Sequence, residues 1–231
     1  MTQRSRNNHN SKRIGIVLGS LALMAGSLIL NPFHTAATAS ADLDTTAPTV
    51  SFLFPRAGQM VRGSTVVIAS ATDTTSVSKV EFYLDGALKA TDTTSSYSFS
   101  WGTTQGSDGA HTLMTKAYDL AGNSTSRSIS VTVDNTAPSV SVQNPLSGQS
   151  VSGMITVSFT AADSNKVQLV QLNLDGVRVA SRALIPAQSS GSWVFSYDTS
   201  LVGNGQHTLE VVAYDVILNK GSRSVTVSVA N

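Results

Sequence analysis

The sequence presents one pattern twice, and this internal repeat constrains the fold more than any other feature. The tripeptide TAP at 46–48 returns 90 residues later, at 136–138. Further along each copy, the tripeptide AYD at 117–119 returns 96 residues later, at 213–215, so the second copy carries six extra residues. A repeat of this length has the size of a small domain and is too long for a solenoid unit. The chain is therefore predicted to contain two similar domains in tandem.

The first 41 residues have the pattern of an export signal, and cleavage is expected after Ala41. Four basic residues and no acidic ones precede an apolar run at 14–30, and small residues follow up to Ala41. The alternative is an uncleaved membrane anchor, because an apolar run of 17 residues lies at the lower limit for crossing a bilayer. The predicted organisation is a signal peptide at 1–41, one domain at 42–135 and a second domain at 136–231.

Removal of the signal would leave a mildly acidic chain without cysteine. Eleven Lys and Arg residues face 14 Asp and Glu residues after Ala41, which gives a net charge of −3. We find no basic patch suited to nucleic acid and no amphipathic helix suited to a membrane surface. Disulfides can form outside the cytoplasm, but this sequence has no cysteine to form them. Each domain is therefore expected to depend on its own apolar core.

Short strands separated by turn residues are predicted throughout both copies. Val80, Phe82 and Leu84 alternate with more polar neighbours, which is typical of a strand with one buried face. The Asp-Gly pairs at 85–86 and 175–176 predict tight hairpin turns, since both residues of such a turn can adopt positive φ. About seven strands per copy predict two antiparallel β-sandwiches. In the first copy the predicted strands lie at 49–54, 64–70, 77–84, 88–91, 97–101, 111–118 and 128–133.

The order of these motifs resembles the bacterial Ig-like domains that occur in tandem on secreted and surface proteins. The first copy carries TAP, VEFYLDG, YSFSW, GAHTL and AYDLAGN in that order, and the second copy follows it more loosely. The resemblance implies an all-β, immunoglobulin-like fold. It also implies a role as a spacer, as an adhesion or protein-interaction module, or close to carbohydrate. The partner implied is an unknown envelope protein or polysaccharide, and the oligomeric state stays open.

Residues that could carry catalysis are few after Ala41. His111 and His207 are the only histidines there, and they occupy equivalent positions in separate copies. A catalytic or metal site needs convergent partners in one place, so each histidine is expected to pack and hydrogen-bond at a corner. Glu81 and Glu210 also lie in separate copies and cannot flank one sugar as a glycosidase pair. The chain is predicted to be no enzyme and to need no cofactor.

One row of aromatic residues in each copy allows two interpretations. The rings alternate along the fifth strand, so all three point to one face. A core face and a flat platform for sugar rings would look alike in the sequence. Packing is favoured because the copies retain aromatic type but exchange Trp and Tyr. A carbohydrate-binding accessory protein is the alternative function. The rows are Tyr97, Phe99 and Trp101 in the first copy and Trp193, Phe195 and Tyr197 in the second.

Two segments of the second copy depart from the pattern and supply candidate interaction residues. The extra residues fall in 177–192, which is either a partner-binding loop or a longer hairpin edge. The candidates there are Leu184 and Ile185. In the last turn, Ile217 and Leu218 replace Ala-Gly, and both are expected to be buried where the two domains meet.

The short linker predicts a stiff joint between the domains. Calcium takes six to eight oxygen ligands, usually with several carboxylates, and few acidic residues are predicted near the joint. Asp108, Asp134 and Asp163 are the weak calcium candidates. The joint is therefore expected to be independent of calcium, with no metal bound.

Overall fold

The computed structural model describes residues 43–231, which form one compact unit. The predicted signal peptide at 1–41 lies outside the described residues. Within 43–231, no helix is long and apolar enough to cross a membrane. Strands make up nearly all regular structure of this part, and its helices are two short 3₁₀ turns at Thr103–Gln105 and Thr199–Leu201. The all-β prediction is confirmed.

The first domain is a two-layered β-sandwich. Its strands are Thr49–Phe54 (β1), Met60–Val61 (β2), Ser64–Thr72 (β3), Val77–Leu84 (β4), Ala87–Asp92 (β5), Tyr97–Gly102 (β6), Gly109–Asp119 (β7) and Ser124–Val133 (β8). One sheet has the order β1-β3-β6, and the other has the order β2-β8-β7-β4-β5. Strand pairs are antiparallel except for β2, which pairs in parallel with β8. The predicted sandwich is confirmed.

The second domain repeats this order, but two long strands run through both of its layers. Its strands are Ser139–Asn144 (β9), Ser150–Val151 (β10), Met154–Leu174 (β11), Val177–Asp198 (β12), Gly205–Asp215 (β13) and Lys220–Val229 (β14). The first half of β11 pairs with β9, its second half pairs with β13, and β12 follows it throughout. The six extra residues of this copy therefore lengthen a hairpin edge and do not form a separate loop.

The Asp-Gly turns fold as predicted. Asp85 and Gly86 have φ angles of 51° and 82°, and the second-domain pair has nearly the same values, 50° and 81°. Positive φ at both positions suits the right-handed twist of the strands that they connect. These turns join β4 to β5 and β11 to β12.

Each domain has a hydrophobic core drawn from its own residues. Phe82 and Leu113 are fully buried in the first core, as are Phe159 and Leu172 in the second. The two clusters share no residue, which agrees with two separately folding domains. The boundary after Asn135 itself stays a prediction.

The aromatic rows belong to these cores. Tyr97, Trp101 and Trp193 are at most 7% exposed. Phe99 and Phe195 are partly buried, and each lies with its ring centroid 5.4 Å from that of a core phenylalanine of its own domain. The packing interpretation is confirmed. The rows therefore give no open platform for sugar rings.

Candidate functional site

In the second domain, the turn after β13 is hydrogen-bonded to Asp134, where the chain enters that domain. The turn follows β13 and runs from Asp215 to Asn219. The backbone N–H of Asn219 donates to Asp215 Oδ1 (2.8 Å), and its Nδ2 donates to Asp215 Oδ2 (2.7 Å). The same Nδ2 donates to the backbone carbonyl of Asp134 (3.0 Å). This single asparagine therefore fixes the turn and the entering chain together.

The first domain builds the same device from equivalent residues. Asn123 donates from its backbone N–H and from Nδ2 to the carboxylate of Asp119, both at 2.8 Å. Its Nδ2 also donates to the backbone carbonyl of Asp44 (2.9 Å). The aspartate that ends the AYD tripeptide and the asparagine four residues later thus form the same turn at the corresponding end of both sandwiches.

Three carboxylates meet beside this turn in the second domain. Asp134 directly follows β8, Asp163 lies within β11, and Asp215 ends β13. One carboxylate oxygen from each lies within 4.8 Å of the others, and all three residues are buried. We call these residues the joint cluster, because Asp134 directly follows the last strand of the first domain.

Two oxygens of the joint cluster lack a hydrogen-bond partner among residues 43–231. Asp134 Oδ1 accepts from the backbone N–H of Thr136 (3.1 Å), and Asp163 Oδ1 accepts from that of Asn165 (2.7 Å). The Oδ2 atoms of Asp134 and Asp163 are buried and accept none. Buried charged groups normally have partners, so these two atoms are exceptions that need an explanation.

The pKa values of two carboxyl groups in the joint cluster are raised from their ordinary value. Burial raises the pKa of Asp134, and the neighbouring charges of Asp215 and Asp163 raise it further. Burial likewise raises the pKa of Asp163, and backbone hydrogen bonding from Asn165 opposes this shift. In the described protein alone, burial therefore disfavours the charged forms of Asp134 and Asp163.

The first domain has the equivalent cluster, formed by Asp44, Asp73 and Asp119, in a more open setting. Asp44 and Asp73 are partly exposed, and only Asp119 is buried. The Thr75 hydroxyl lies 2.8 Å from Asp44 Oδ2 and 2.7 Å from Asp73 Oδ1, so it can donate to either. Hydrogen bonds from the backbone and side chain of Thr75 lower the pKa of Asp73, which is the opposite of the shift at Asp163.

The structure brings together two of the three calcium candidates and adds another residue. Asp134 and Asp163 lie in the joint cluster, whereas Asp108 is not one of its members. The carboxylate of Asp108 instead accepts from the backbone N–H of Asn135 (2.9 Å) and from the hydroxyl of Thr136 (2.6 Å), so it orders the linker. Sequence reasoning missed Asp215. The signal was present, because each cluster aspartate recurs at the 90- or 96-residue offset of the repeat.

The joint between the domains is bonded directly from both sides. The backbone N–H of Asp134 donates to the carbonyl of Val61 in the first domain (3.1 Å), while its own carbonyl accepts from Asn219 in the second. Arg62 Nη1 of the first domain donates to Asn219 Oδ1 (3.2 Å). The junction peptide is therefore held by both domains.

Two of the four apolar interaction candidates need correction. Leu184 is 5% exposed and packs in the second core, because its side chain faces inward on the long β12 strand. Ile185, the next residue, is 92% exposed. Ile217 is partly buried, but Leu218 is 52% exposed, so the expected burial of both at the joint is wrong for Leu218. Leu218 occupies the turn position of Gly122 and shares its positive φ, at 71° against 94°.

The two histidines are corner residues, as predicted. His111 Nδ1 lies 2.7 Å from Asp85 Oδ2, and Nε2 lies 2.9 Å from the carbonyl oxygen of Ser107. His207 makes the equivalent contacts with Asp175 (2.6 Å) and the carbonyl of Gly203 (2.8 Å). Both ring nitrogens face acceptors, so only the protonated ring satisfies both. These bonds, above all those to the aspartates, raise the pKa of each histidine.

Two β-sandwiches in tandem, each closed by the same Asp/Asn turn, define a tandem immunoglobulin-like protein. The sequence profile described as a bacterial Ig domain matches residues 48–114 and again residues 138–211. The chain belongs to this bacterial Ig domain family. No curated protein sequence matches it significantly.

Solved structures with a similar fold are Ig-like and fibronectin-like modules. The fibronectin(III)-like modules of Clostridium thermocellum CbhA are 25% identical, over 78% of this chain and 94% of that chain, with a TM-score of 0.48. SGBP-B of the Bacteroides ovatus mixed-linkage glucan utilization locus, solved with a heptasaccharide, is 18% identical over 80% of this chain and 48% of that one, with a TM-score of 0.32. The titin domains Z1Z2, solved with telethonin, are 16% identical over 80% and 96%, with a TM-score of 0.33.

Proposed function

We propose that this chain is an exported, non-enzymatic protein whose two Ig-like domains form a stiff spacer or interaction module at the cell envelope or outside the cell. The bonding of Asp134 from both sides carries this proposal. A junction peptide held by Val61 on one side and Asn219 on the other leaves little freedom for the domains to swing. A spacer needs that property, since it must hold a partner at a fixed distance.

The environment of the histidines supports a non-enzymatic role. A general base needs a ring nitrogen that is free to take a proton from substrate. Both nitrogens of His111 and of His207 instead lie within 2.9 Å of acceptors in their own domain. Their bonds tie the Asp-Gly turn to the start of β7 in the first domain and of β13 in the second, which is a structural task.

Export is proposed from the sequence at 1–41 and from the family. The exported protein should begin at Asp42, and intact-mass spectrometry of protein recovered outside the cytoplasm measures this directly. A mass that includes Ala39, or full-length protein retained in the membrane fraction, would favour the uncleaved anchor.

An envelope protein or polysaccharide is the proposed partner. Ile185 supports an interaction role, because its apolar side chain is 92% exposed on the long hairpin edge. The carbohydrate-binding alternative through the aromatic rows has lost its basis, since those rings pack in the cores.

Spin-label distances between the domains test the spacer role. The chain has no cysteine, so the paired changes Lys89→Cys and Arg178→Cys, both at exposed positions, introduce two unique labels. We expect a single narrow distance distribution. The change Asn219→Ala should broaden it by releasing the junction peptide, whereas the matched change Asn123→Ala at the other end of the first domain should leave it narrow. A broad distribution in the otherwise unchanged protein would refute the spacer.

A further inference from the structure

We propose that the joint cluster of Asp134, Asp163 and Asp215 is a calcium site at the boundary between the two domains. The three carboxylates come from three separate parts of the chain, and one oxygen of each lies within 4.8 Å of the others. This proposal replaces the expectation, drawn from the sequence, of a joint that is independent of calcium. It stands on the geometry of the site and does not depend on the spacer role.

The burial of the cluster is the first argument. Asp134 and Asp215 are 0% exposed and Asp163 is 7% exposed, so water has little access to the three charges. Isolated charges are costly to bury, and buried charges in proteins are normally paired or coordinate a metal. None of the ion pairs formed within residues 43–231 includes one of these aspartates. The adjacent Arg62 donates to the Asn219 amide oxygen.

The unpartnered oxygens are the second, independent argument. The Oδ2 atoms of Asp134 and Asp163 are buried and accept no hydrogen bond within the described chain. Their Oδ1 atoms are oriented by backbone N–H groups of Thr136 and Asn165, which fixes the direction of each carboxylate. The second oxygen of each is therefore held in place and left available to a ligand.

The donor set selects the kind of cation. All the candidate donors are carboxylate oxygens, which suit hard divalent cations and not metals that prefer sulfur or imidazole. Calcium accepts irregular sets of six to eight oxygens and lets carboxylates bind through one or both atoms, with carbonyls and water completing the shell. Magnesium demands near-ideal octahedral geometry and keeps several waters, which suits a buried cluster less well.

The first-domain cluster serves as an internal comparison. There the Thr75 hydroxyl can donate to Asp44 or Asp73, whereas Asn165 replaces Thr75 in the second domain. One buried oxygen of that cluster, Asp73 Oδ2, also lacks a partner, against two in the joint cluster. Two of the three first-domain residues are partly exposed, whereas all three residues of the joint cluster are buried, so water can satisfy more of the charge in the first domain. The joint cluster should therefore bind calcium more tightly than the first-domain cluster.

Calorimetric titration and thermal unfolding of the exported protein, first stripped with EDTA, test the site. Calcium at 100-fold above the dissociation constant should raise the midpoint of second-domain unfolding by roughly 10–20 °C. The change Asp163→Asn should abolish this shift and the tight binding heat. The matched change Asp73→Asn should leave both in place.

The stability of the Asp163→Asn protein in EDTA shows whether a lost calcium effect comes from the missing carboxylate or from misfolding. Because this change removes one buried anion, the variant should fold in EDTA with an unfolding midpoint at least as high as that of the parent protein. The absence of any calcium effect on the parent, or an undiminished effect on a folded Asp163→Asn protein, would overturn the proposal. An equal shift with magnesium would overturn the choice of calcium.

Discussion

The two aspartate clusters show how one motif takes different roles at two places in the same molecule. In the first domain, Asp44 and Asp73 are partly exposed and can accept from a threonine hydroxyl, Asp119 is buried, and one oxygen, Asp73 Oδ2, is unpartnered. Asp134, Asp163 and Asp215 occupy the equivalent positions but are buried beside the first domain, with two oxygens unpartnered. The second cluster lies where the first domain joins the second, and Asn165 stands there in place of Thr75. A repeated domain can therefore carry a binding site whose character depends on its neighbour.

The largest expected change in stability comes from Gly221, whose backbone contacts that of Pro138. Gly221 in β14 lies so close to Pro138 that an added Cβ would overlap the proline carbonyl oxygen. We expect Gly221→Ala to destabilise the second domain by about 3 kcal/mol, the upper end of the usual cost of overpacking. The equivalent residue of the first domain is Thr125, which already carries a side chain, so Thr125→Ala should cost about 0.5 kcal/mol or less.

Tryptophan fluorescence separates the two domains in that measurement. Trp101 and Trp193 lie one in each domain, so replacing Trp101 by Phe leaves Trp193 as the reporter of the second. Denaturant unfolding of this protein with and without Gly221→Ala gives the change directly. Equal small losses for Gly221→Ala and Thr125→Ala would show that the two entering segments pack alike.

A smaller change in stability is expected at the turn after β13, where Leu218 takes the place of Gly122. Leu218 adopts a left-handed conformation that costs a non-glycine residue about 1–2 kcal/mol, and it is half exposed. Because glycine loses more backbone entropy on folding, we expect Leu218→Gly to stabilise the second domain by only about 0.5–1 kcal/mol. The reciprocal change Gly122→Leu should destabilise the first domain by about 1–2 kcal/mol. A marked loss of stability on Leu218→Gly would instead mean that this leucine makes joint contacts that outweigh its strain.

The smallest expected effect is a pH dependence of stability, and it should be equal in the two domains because His111 and His207 make equivalent hydrogen bonds. The folded-state pKa of each histidine is raised by its aspartate, so the stability it contributes is fully present below pH 6.5. That contribution is lost as the pH rises through the folded pKa. NMR titration of His111 and His207 should give two pKa values above 6.5, and unfolding midpoints should fall from pH 6 to pH 8. A histidine that titrates below 6.5 would contradict the doubly bonded ring.

Most of the fold could be predicted from the sequence, because alternation and turn chemistry act locally. The predicted strands 49–54 and 77–84 coincide with β1 and β4, and the Asp-Gly turns are in place. The merger of strands into β11 and β12 was missed, since it depends on pairing between distant segments. The two-residue strands β2 and β10 were missed because two residues show no alternation.

The candidate site was harder to predict because it depends on three-dimensional proximity. Asp163 and Asp215 lie 52 positions apart in sequence and come together only through strand order. The side-chain direction of Leu184 and the exposure of Leu218 also follow from the final backbone path. Comparison of the copies would have helped, because all three aspartates recur at the repeat offset.

The position of Asp134 has a consequence for how such a protein can be divided or rearranged. Its backbone completes the pairing of the first domain, while its carboxylate lies in the cluster of the second. A fragment starting at Thr136 would fold without one of the three carboxylates, whereas one starting at Asp134 would keep all three. Recombination that inserts, deletes or shuffles these domains preserves every cluster only when each exchanged segment begins at its own aspartate. The inheritable unit of this architecture therefore starts two residues before the boundary that the sequence repeat suggests.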